Sequence, residues 1–350
     1  MYFYENVIVI MRKKATITLK NLAEDLNLSV STVSRALNNH QDIRPATKEL
    51  VCSYAKKMNY FPNLFAKGFR SQKTHIIGLI VPQISNYFTS TVIEGVLQEA
   101  EEKGYRVIVS ESKNCPDKQE ELIQMMRQFG VDGLLLSLTR KTKNVQNIIA
   151  AAECIPLVLL DKVSNKIPCT HIIINEEQAA FEAVEHLIHT GKKNIAIIKE
   201  TEKSFNSEMR YTGYLKALKK HNLPINEQYI LSTEDISLQH GQRLAYQLLS
   251  LQKRPDAVFT ITDDCAIGVI KTLKKLQIKI PDDIAVLGFS NSLNSTIISP
   301  KLTTVDQPGQ KIGATSVKYL IEEIDNENQV ISKTVEIKTH LVVRGSTLKL

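Results

Sequence analysis

Four hydroxyl side chains, Ser29, Ser31, Thr32 and Ser34, crowd the stretch LSVSTVSRALNN (28–39), which also carries Arg35 and Asn38. Hydroxyls and the N–H groups at a helix start bond phosphate oxygens without carrying net charge, and an arginine fork can grip a guanine edge through two parallel bonds. That chemistry recognises a polyanion and breaks no bond. On a 100° wheel Ser31, Ser34, Arg35 and Asn38 share an outer side, and Val33, Ala36 and Leu37 an inner one. Val30 falls close to Leu37, so periodicity alone would bury it.

Elsewhere the signatures of catalysis are missing. There is no G-x-G-x-x-G, G-x-x-x-x-G-K-[ST], H-E-x-x-H or G-x-S-x-G in the chain, so dinucleotide, triphosphate, zinc-hydrolase and serine-hydrolase readings lack their fingerprints. His186 and His189 lie at i, i+3 with no third ligand near them in sequence, and read as surface residues. No catalytic residue, metal or cofactor is expected. The five cysteines are scattered without a C-x-x-C pair, as expected of reduced thiols in a cytoplasmic protein. No apolar run approaches the roughly 20 residues of a membrane helix.

The elements that must position the hydroxyl row come next. Thr18 can cap a first helix with apolar residues at Leu19, Leu22, Ala23 and Leu26, and Ser29 a second running to about Asn38. Pro45 suits the first position of a third, whose inward stripe reads Leu50, Val51, Tyr54 and Met58. Helix, tight turn, helix, loop, helix is a helix-turn-helix arrangement over residues 15–62. The charge agrees: from Arg12 to Lys73 twelve lysines and arginines face only Glu24, Asp25, Asp42 and Glu49, whereas residues after Lys73 carry cations and anions in equal number. The net charge of +7 therefore belongs to the N-terminal module, as for a small domain that holds a polyanion.

Residues 1–14 read as an extension: YFYENVIVIM is apolar but has neither a basic n-region nor a small-residue cleavage site. Met11, followed by Arg12, Lys13 and Lys14, is a second candidate translation start. Residues 63–74 read as a linker containing Gly68, too short for a helix stable by itself. From His75 the chain alternates between buried-strand runs, IIGLIV (76–81), YRVIVS (105–110), DGLLLS (132–137), PLVLL (156–160), NIAIIK (194–199), DAVFTI (256–261) and IAVLGF (284–289), and amphipathic helices. Such alternation means parallel, doubly wound sheets, and the number of units implies two α/β lobes with a cleft between them.

At this point the motifs carry a resemblance. From Thr16 the chain reads TITLKNLAEDLNLSVSTVSRALNNHQDIRPATKELVCSYAKKMNYFPN, which resembles the DNA-binding domain of the lactose-repressor (LacI/GalR) family. IIGLIVPQISNYFT (76–89), VDGLLL (131–136), PLVLLD (156–161), MRYTGY (209–214), PDAVFTITDDCAIG (255–268), PDDIAVLGF (281–289) and LTTVDQP (302–308) follow in the family's order. The resemblance implies an all-α helix-turn-helix domain joined to an α/β periplasmic-binding-protein-like effector domain of two doubly wound lobes. It implies a homodimer on a pseudo-palindromic DNA operator and a cytoplasmic, nucleoid-associated transcriptional repressor controlled by a small molecule.

Residue by residue, the resemblance places Val30, Ser31 and Arg35 against bases and Ser29, Thr32 and Ser34 against phosphates. Asn63 to Arg70 would form a hinge helix that folds on DNA, with Phe69 as a minor-groove wedge and Arg70 beside it. The family's pocket positions fall on Ser85, Asn86, Phe88, Asp161, Arg210 and Asp263. Asp263 has the alternative of capping a helix, and Arg210 that of a structural ion pair. Ser290 and Thr262 depart from the family's frequent aspartate and asparagine. The polar set suits a neutral sugar, with a purine, nucleoside or phosphorylated metabolite as the alternative; a solute-binding protein or an enzyme fits least. Lobe 1 is expected over 75–174 and 306–330 and lobe 2 over 175–305 and 331–350, with crossings near Ile174–Glu176, Ser290–Asn294 and Val305–Gln307.

Overall fold

The computed structural model describes residues 17–60, 73–326 and 332–348, and the chain divides between Thr74 and His75 into two compact units. The N-terminal extension and the linker residues Asn63, Phe69 and Arg70 lie outside the described residues.

Among the described residues the first unit holds three helices, α1 (Leu19–Asp25), α2 (Val30–Leu37) and α3 (Pro45–Lys57). Each begins where its sequence provides for the unpaired N–H groups. Thr18 and Asn21 form a reciprocal capping box, Ser29 Oγ accepts from Thr32 N at 3.1 Å, and Pro45 opens α3. Each ends on an asparagine in the left-handed region, Asn27, Asn39 and Asn59. The next residue then donates its N–H back into the last turn, from Leu28 to Ala23, His40 to Arg35 and Tyr60 to Ala55. This is the Schellman closure, repeated three times. Leu22, Ala23, Val33, Ala36, Val51 and Ala55 form the shared core. Leu50 corrects the expected stripe: it is 52% exposed, because the inward face of α3 turns through Val51 and Ala55 and leaves the preceding position outside.

The second unit contains two six-stranded sheets. The first runs β11-β5-β4-β3-β1-β2 and is wholly parallel, with β1 Ile76–Val81, β2 Arg106–Glu111, β3 Gly133–Leu136, β4 Leu157–Leu160, β5 Thr170–Ile174 and β11 Thr334–Ile337. The second runs β12-β10-β9-β8-β6-β7, with β6 Ile195–Glu200, β7 Ile230–Thr233, β8 Ala257–Thr260, β9 Ala285–Ser290, β10 Thr303–Asp306 and β12 His340–Val342; only β12 is antiparallel. Both orders reverse beside an inner strand, β1 or β6, and ligands of open α/β sheets bind beyond the carboxyl ends of strands at such points.

Five strands escaped the sequence reading: β5, β7, β10, β11 and β12. They are short, and several carry threonine, glutamate or histidine in place of an unbroken aliphatic run. Their placement corrects the lobe boundaries. Strand β11 belongs to the first sheet and β12 to the second, so the last crossing lies at Lys338–Thr339 and not at Ser290–Asn294, where β9 and β10 stay in one sheet. Residues 332–337 accordingly belong with lobe 1.

His171 on β5 is 5% exposed and its Nε2 lies 3.2 Å from Ile167 O. Burial lowers its pKa from the ordinary histidine value, with the carbonyl contact opposing. The unfolded chain therefore takes up the proton first, and stability falls as pH drops through the ordinary range near 6.5. The melting temperature is expected to decline from about pH 7 to about pH 5.5, and His171→Gln to flatten part of that slope.

Candidate functional site

Helix α2 presents its hydroxyls outward. Ser29 Oγ lies 2.8 Å from both Ser31 Oγ and Thr32 Oγ1, so the three groups form a cluster at the helix start. Asn38, at the other end, donates from Nδ2 to Ser34 O at 2.9 Å. Val30 is 42% exposed; as the first helical residue it sits where the chain enters the helix, ahead of the turn that packs inward. Arg35 is well exposed and stands 3.9 Å from Asp42 Oδ2. An ion pair of that kind contributes little, so the guanidinium is available to a partner.

The second candidate is a cleft, partly open to solvent, in the second unit. Its wall is built from strand ends. Pro82 and Gln83 follow β1, Arg140 follows β3, Asp161 and Lys162 follow β4, and Glu200 ends β6. Asp235 follows β7, Ile261 and Thr262 follow β8, Ser290 ends β9 and Gln307 follows β10. Helix starts supply the rest: Asn86 and Phe88 at α4 (Tyr87–Glu102), and Ser204, Asn206 and Arg210 at α8 (Phe205–Lys220), which packs on α7 (Glu176–His189). Between α4 and α7 lie α5 (Pro116–Gln128) and α6 (Gln146–Ala152).

Of the expected pocket residues, Asn86, Phe88, Asp161, Arg210 and Ser290 line the cleft, and Ser85 and Asp263 do not. Ser85 is exposed and accepts from Gln83 Nε2 at 3.1 Å, and it is Gln83 that faces the cavity. Asp263 is 2% exposed; it accepts from Thr304 Oγ1 and from Ser292 N, both at 2.6 Å. It ties β10 to the loop after β9, and burial raises its pKa against those two donors. Nor does it cap its helix, since Thr262 accepts from Cys265 N. Arg210 does form a structural ion pair. Its Nε and Nη2 hold the two oxygens of buried Glu176 at 2.6 and 3.1 Å, its Nη1 donates to Ile261 O at 2.5 Å, and its plane lies 3.6 Å above the Phe289 ring. Two guanidinium protons remain for the cleft.

Among the described residues, Arg140 and Asn206 make polar contacts across the lobes. Arg140 Nη1, from the first sheet, reaches Glu200 Oε1 at 3.3 Å and Glu234 O at 3.1 Å on the second. Asn206 Nδ2 donates to Asp161 Oδ1 at 2.7 Å, with Lys162 Nζ 2.9 Å from the other carboxylate oxygen. Each cation lining the cleft thus already holds a carboxylate: Arg140 with Glu200, Lys162 with Asp161, Arg210 with Glu176. The bond to Asp161 fixes the orientation of the Asn206 amide, yet Asn206 Oδ1 is a buried acceptor without a donor, as is Asn114 Oδ1. Backbone strain gathers here as well: Asp161 at φ +61°, Ser290 at +126° and Asn291 at +51°, conformations that cost non-glycine residues about 1–3 kcal/mol and concentrate at ligand clamps. Sequence reasoning missed Arg140, Glu200 and Asn206, although a rule that searches strand ends would have flagged Glu200, the last residue of β6. Replacing Arg140 with alanine is expected to separate the lobes. Small-angle scattering should then give a larger radius of gyration, and an unchanged scattering curve would deny the bridge.

Comparison with known proteins agrees with this division of labour. Residues 18–63 match the family described as bacterial regulatory proteins, lacI family, and residues 184–347 match a periplasmic binding protein-like domain. The NTD biosynthesis operon regulator NtdR of Bacillus subtilis (strain 168) is 32% identical over 331 residues, covering 94% of this chain and 99% of that protein. Catabolite control protein A of Priestia megaterium is 32% identical, covering 95% and 99%. Among solved structures, the lac repressor dimer bound to operator and the anti-inducer ONPF superposes with a TM-score of 0.85 at 24% identity, covering 95% of this chain and 100% of that one. At that identity the superposition speaks for the fold.

Proposed function

We propose, for a chain that belongs to the lacI family of bacterial regulatory proteins and is a DNA-binding transcriptional regulator with an effector domain, that the controlling ligand is a neutral polyhydroxylated metabolite, a sugar or sugar derivative. The observation that carries the ligand class is the charge balance of the cleft: three cations, each already neutralised by a carboxylate. A phosphorylated ligand would find no cation there without a carboxylate partner, whereas hydroxyls can join the pairs as donors and acceptors together. The acceptors on Asn206 and Asn114 await donors, and Phe88, Ile236 and Ile261 offer apolar surface for a ring face.

On the DNA side, α2 docks through Ser29, Thr32 and Ser34 on phosphates and Val30, Ser31 and Arg35 on bases, in a homodimer whose two copies read a pseudo-palindromic operator in the cytoplasm. Asn63, Phe69 and Arg70 engage the operator centre. Ligand and DNA communicate only if the ligand binds the two lobe arrangements with different affinity. The contacts of Arg140 and Asn206 across the cleft are where that difference arises.

A thermal-shift screen of full-length protein tests the ligand class with neutral sugars, sugar phosphates and nucleosides. A neutral sugar should stabilise the protein, and Asn206→Ala should weaken its binding about 10- to 100-fold, the worth of a hydrogen bond to a charged or buried polar group. Stabilisation by phosphorylated compounds or nucleosides alone would overturn the assignment.

A further inference from the structure

The two helices joined by the Glu176–Arg210 pair beside the cleft meet again at their far ends, in a cluster of imidazoles and a carboxylate. Glu185 and His189 lie one turn apart on α7, and His221 is the first residue beyond α8. Their ligating atoms all lie within 4.8 Å of one another. His221 Nε2 is 2.7 Å from Glu185 Oε1, and the His189 and His221 rings stand edge to face with centroids 5.4 Å apart. Helix packing sets this geometry. At Gly213 a side-chain carbon would come within 2.2 Å of Glu177 O, so only glycine lets α8 approach α7 closely enough for His221 to reach across.

We propose that Glu185, His189 and His221 form a binding site for a transition-metal ion of the Zn2+ type. Two imidazole nitrogens and one carboxylate oxygen are a ligand set that Zn2+ favours, and a fourth position opens to solvent on the His189 side. Spacing at i and i+4 puts both α7 ligands on one face, and the third comes from a neighbouring element that does not depend on the ion to fold. Two groups shape the affinity. Lys220 Nζ lies 2.8 Å from the same Glu185 oxygen and must swing away as the ion enters. His186 is engaged with Thr347 Oγ1 at 2.8 Å and stays outside the ligand set. A bound ion would pin the distal ends of α7 and α8, whose opposite ends the Glu176–Arg210 pair already joins, and so stiffen the effector lobe without entering the cleft.

The test is Zn2+ binding by tag-free, full-length protein in competition with a chromophoric chelator, read beside the melting temperature. One equivalent is expected to bind and to raise the melting temperature by roughly 5 °C at saturation. His189→Ala and His221→Ala, both at partly exposed positions that do not threaten folding, should each weaken binding by on the order of 100-fold. Lys220→Ala should tighten it by removing the competing cation. Absence of one-equivalent binding, wild-type affinity in either histidine variant, or no tightening in Lys220→Ala would overturn the site.

Discussion

Glu176→Ala is expected to destabilise the effector unit by about 3–5 kcal/mol, the cost of leaving a buried charge without its partner. Glu176 and Arg210 are 3% and 5% exposed, and burial raises the Glu176 carboxyl above its usual range even as Arg210 pulls it down. With the carboxylate gone, the guanidinium keeps the Phe289 ring and the Ile261 carbonyl but no counter-charge. Chemical denaturation of the variant measures the loss. The double variant Glu176→Ala, Arg210→Leu should recover much of it, because two apolar side chains in place of a buried pair are often neutral. A single-variant loss below about 1 kcal/mol would mean that water reaches the pair. Arg210 also lines the cleft, so effector affinity should fall alongside stability.

The second large effect belongs to DNA. Arg35→Ala should weaken operator binding by about 1–3 kcal/mol, roughly 5- to 160-fold, and relax discrimination at one base position in each half-site. Lys56→Ala and Lys57→Ala, in the last turn of α3, serve as contrasts. They should lower affinity for every duplex alike and reduce the dependence on salt, as phosphate contacts do. Anisotropy titrations on an operator selected from a randomised pool, and on duplexes changed at single positions, separate the two behaviours. An Arg35→Ala protein that keeps its sequence preference would place the reading elsewhere on α2.

Much of this was legible in residue order because local chemistry wrote it. The caps Thr18 and Ser29 mark helix starts by the N–H groups they satisfy, Pro45 marks one by the N–H it lacks, and the aliphatic runs of β1, β3, β4, β6, β8 and β9 mark strands covered on both faces. Val30 shows the limit of periodicity, because a first helical residue is not yet packed against the following turn and the wheel misassigns it to the core. Asp263 shows another: a carboxylate at a strand-to-helix junction can face the cleft or fold back to Thr304, and sequence does not say which. The bridges Arg140–Glu200 and Asp161–Asn206 join residues that no spacing relates, since they arise only when two sheets face each other. The same holds for Glu185, His189 and His221, two of which share a helix while the third arrives from its neighbour.

Control of DNA affinity from the cleft is tested most directly by one titration: full-length protein on its selected operator, with and without a saturating concentration of the sugar that the thermal screen identifies. The two affinities should differ by about 5- to 150-fold, the usual span of coupling between sites. Asn206→Ala, which loses the bridge to Asp161, should erase the difference at the same sugar concentration. Equal operator affinities with the cleft demonstrably occupied would contradict the coupling.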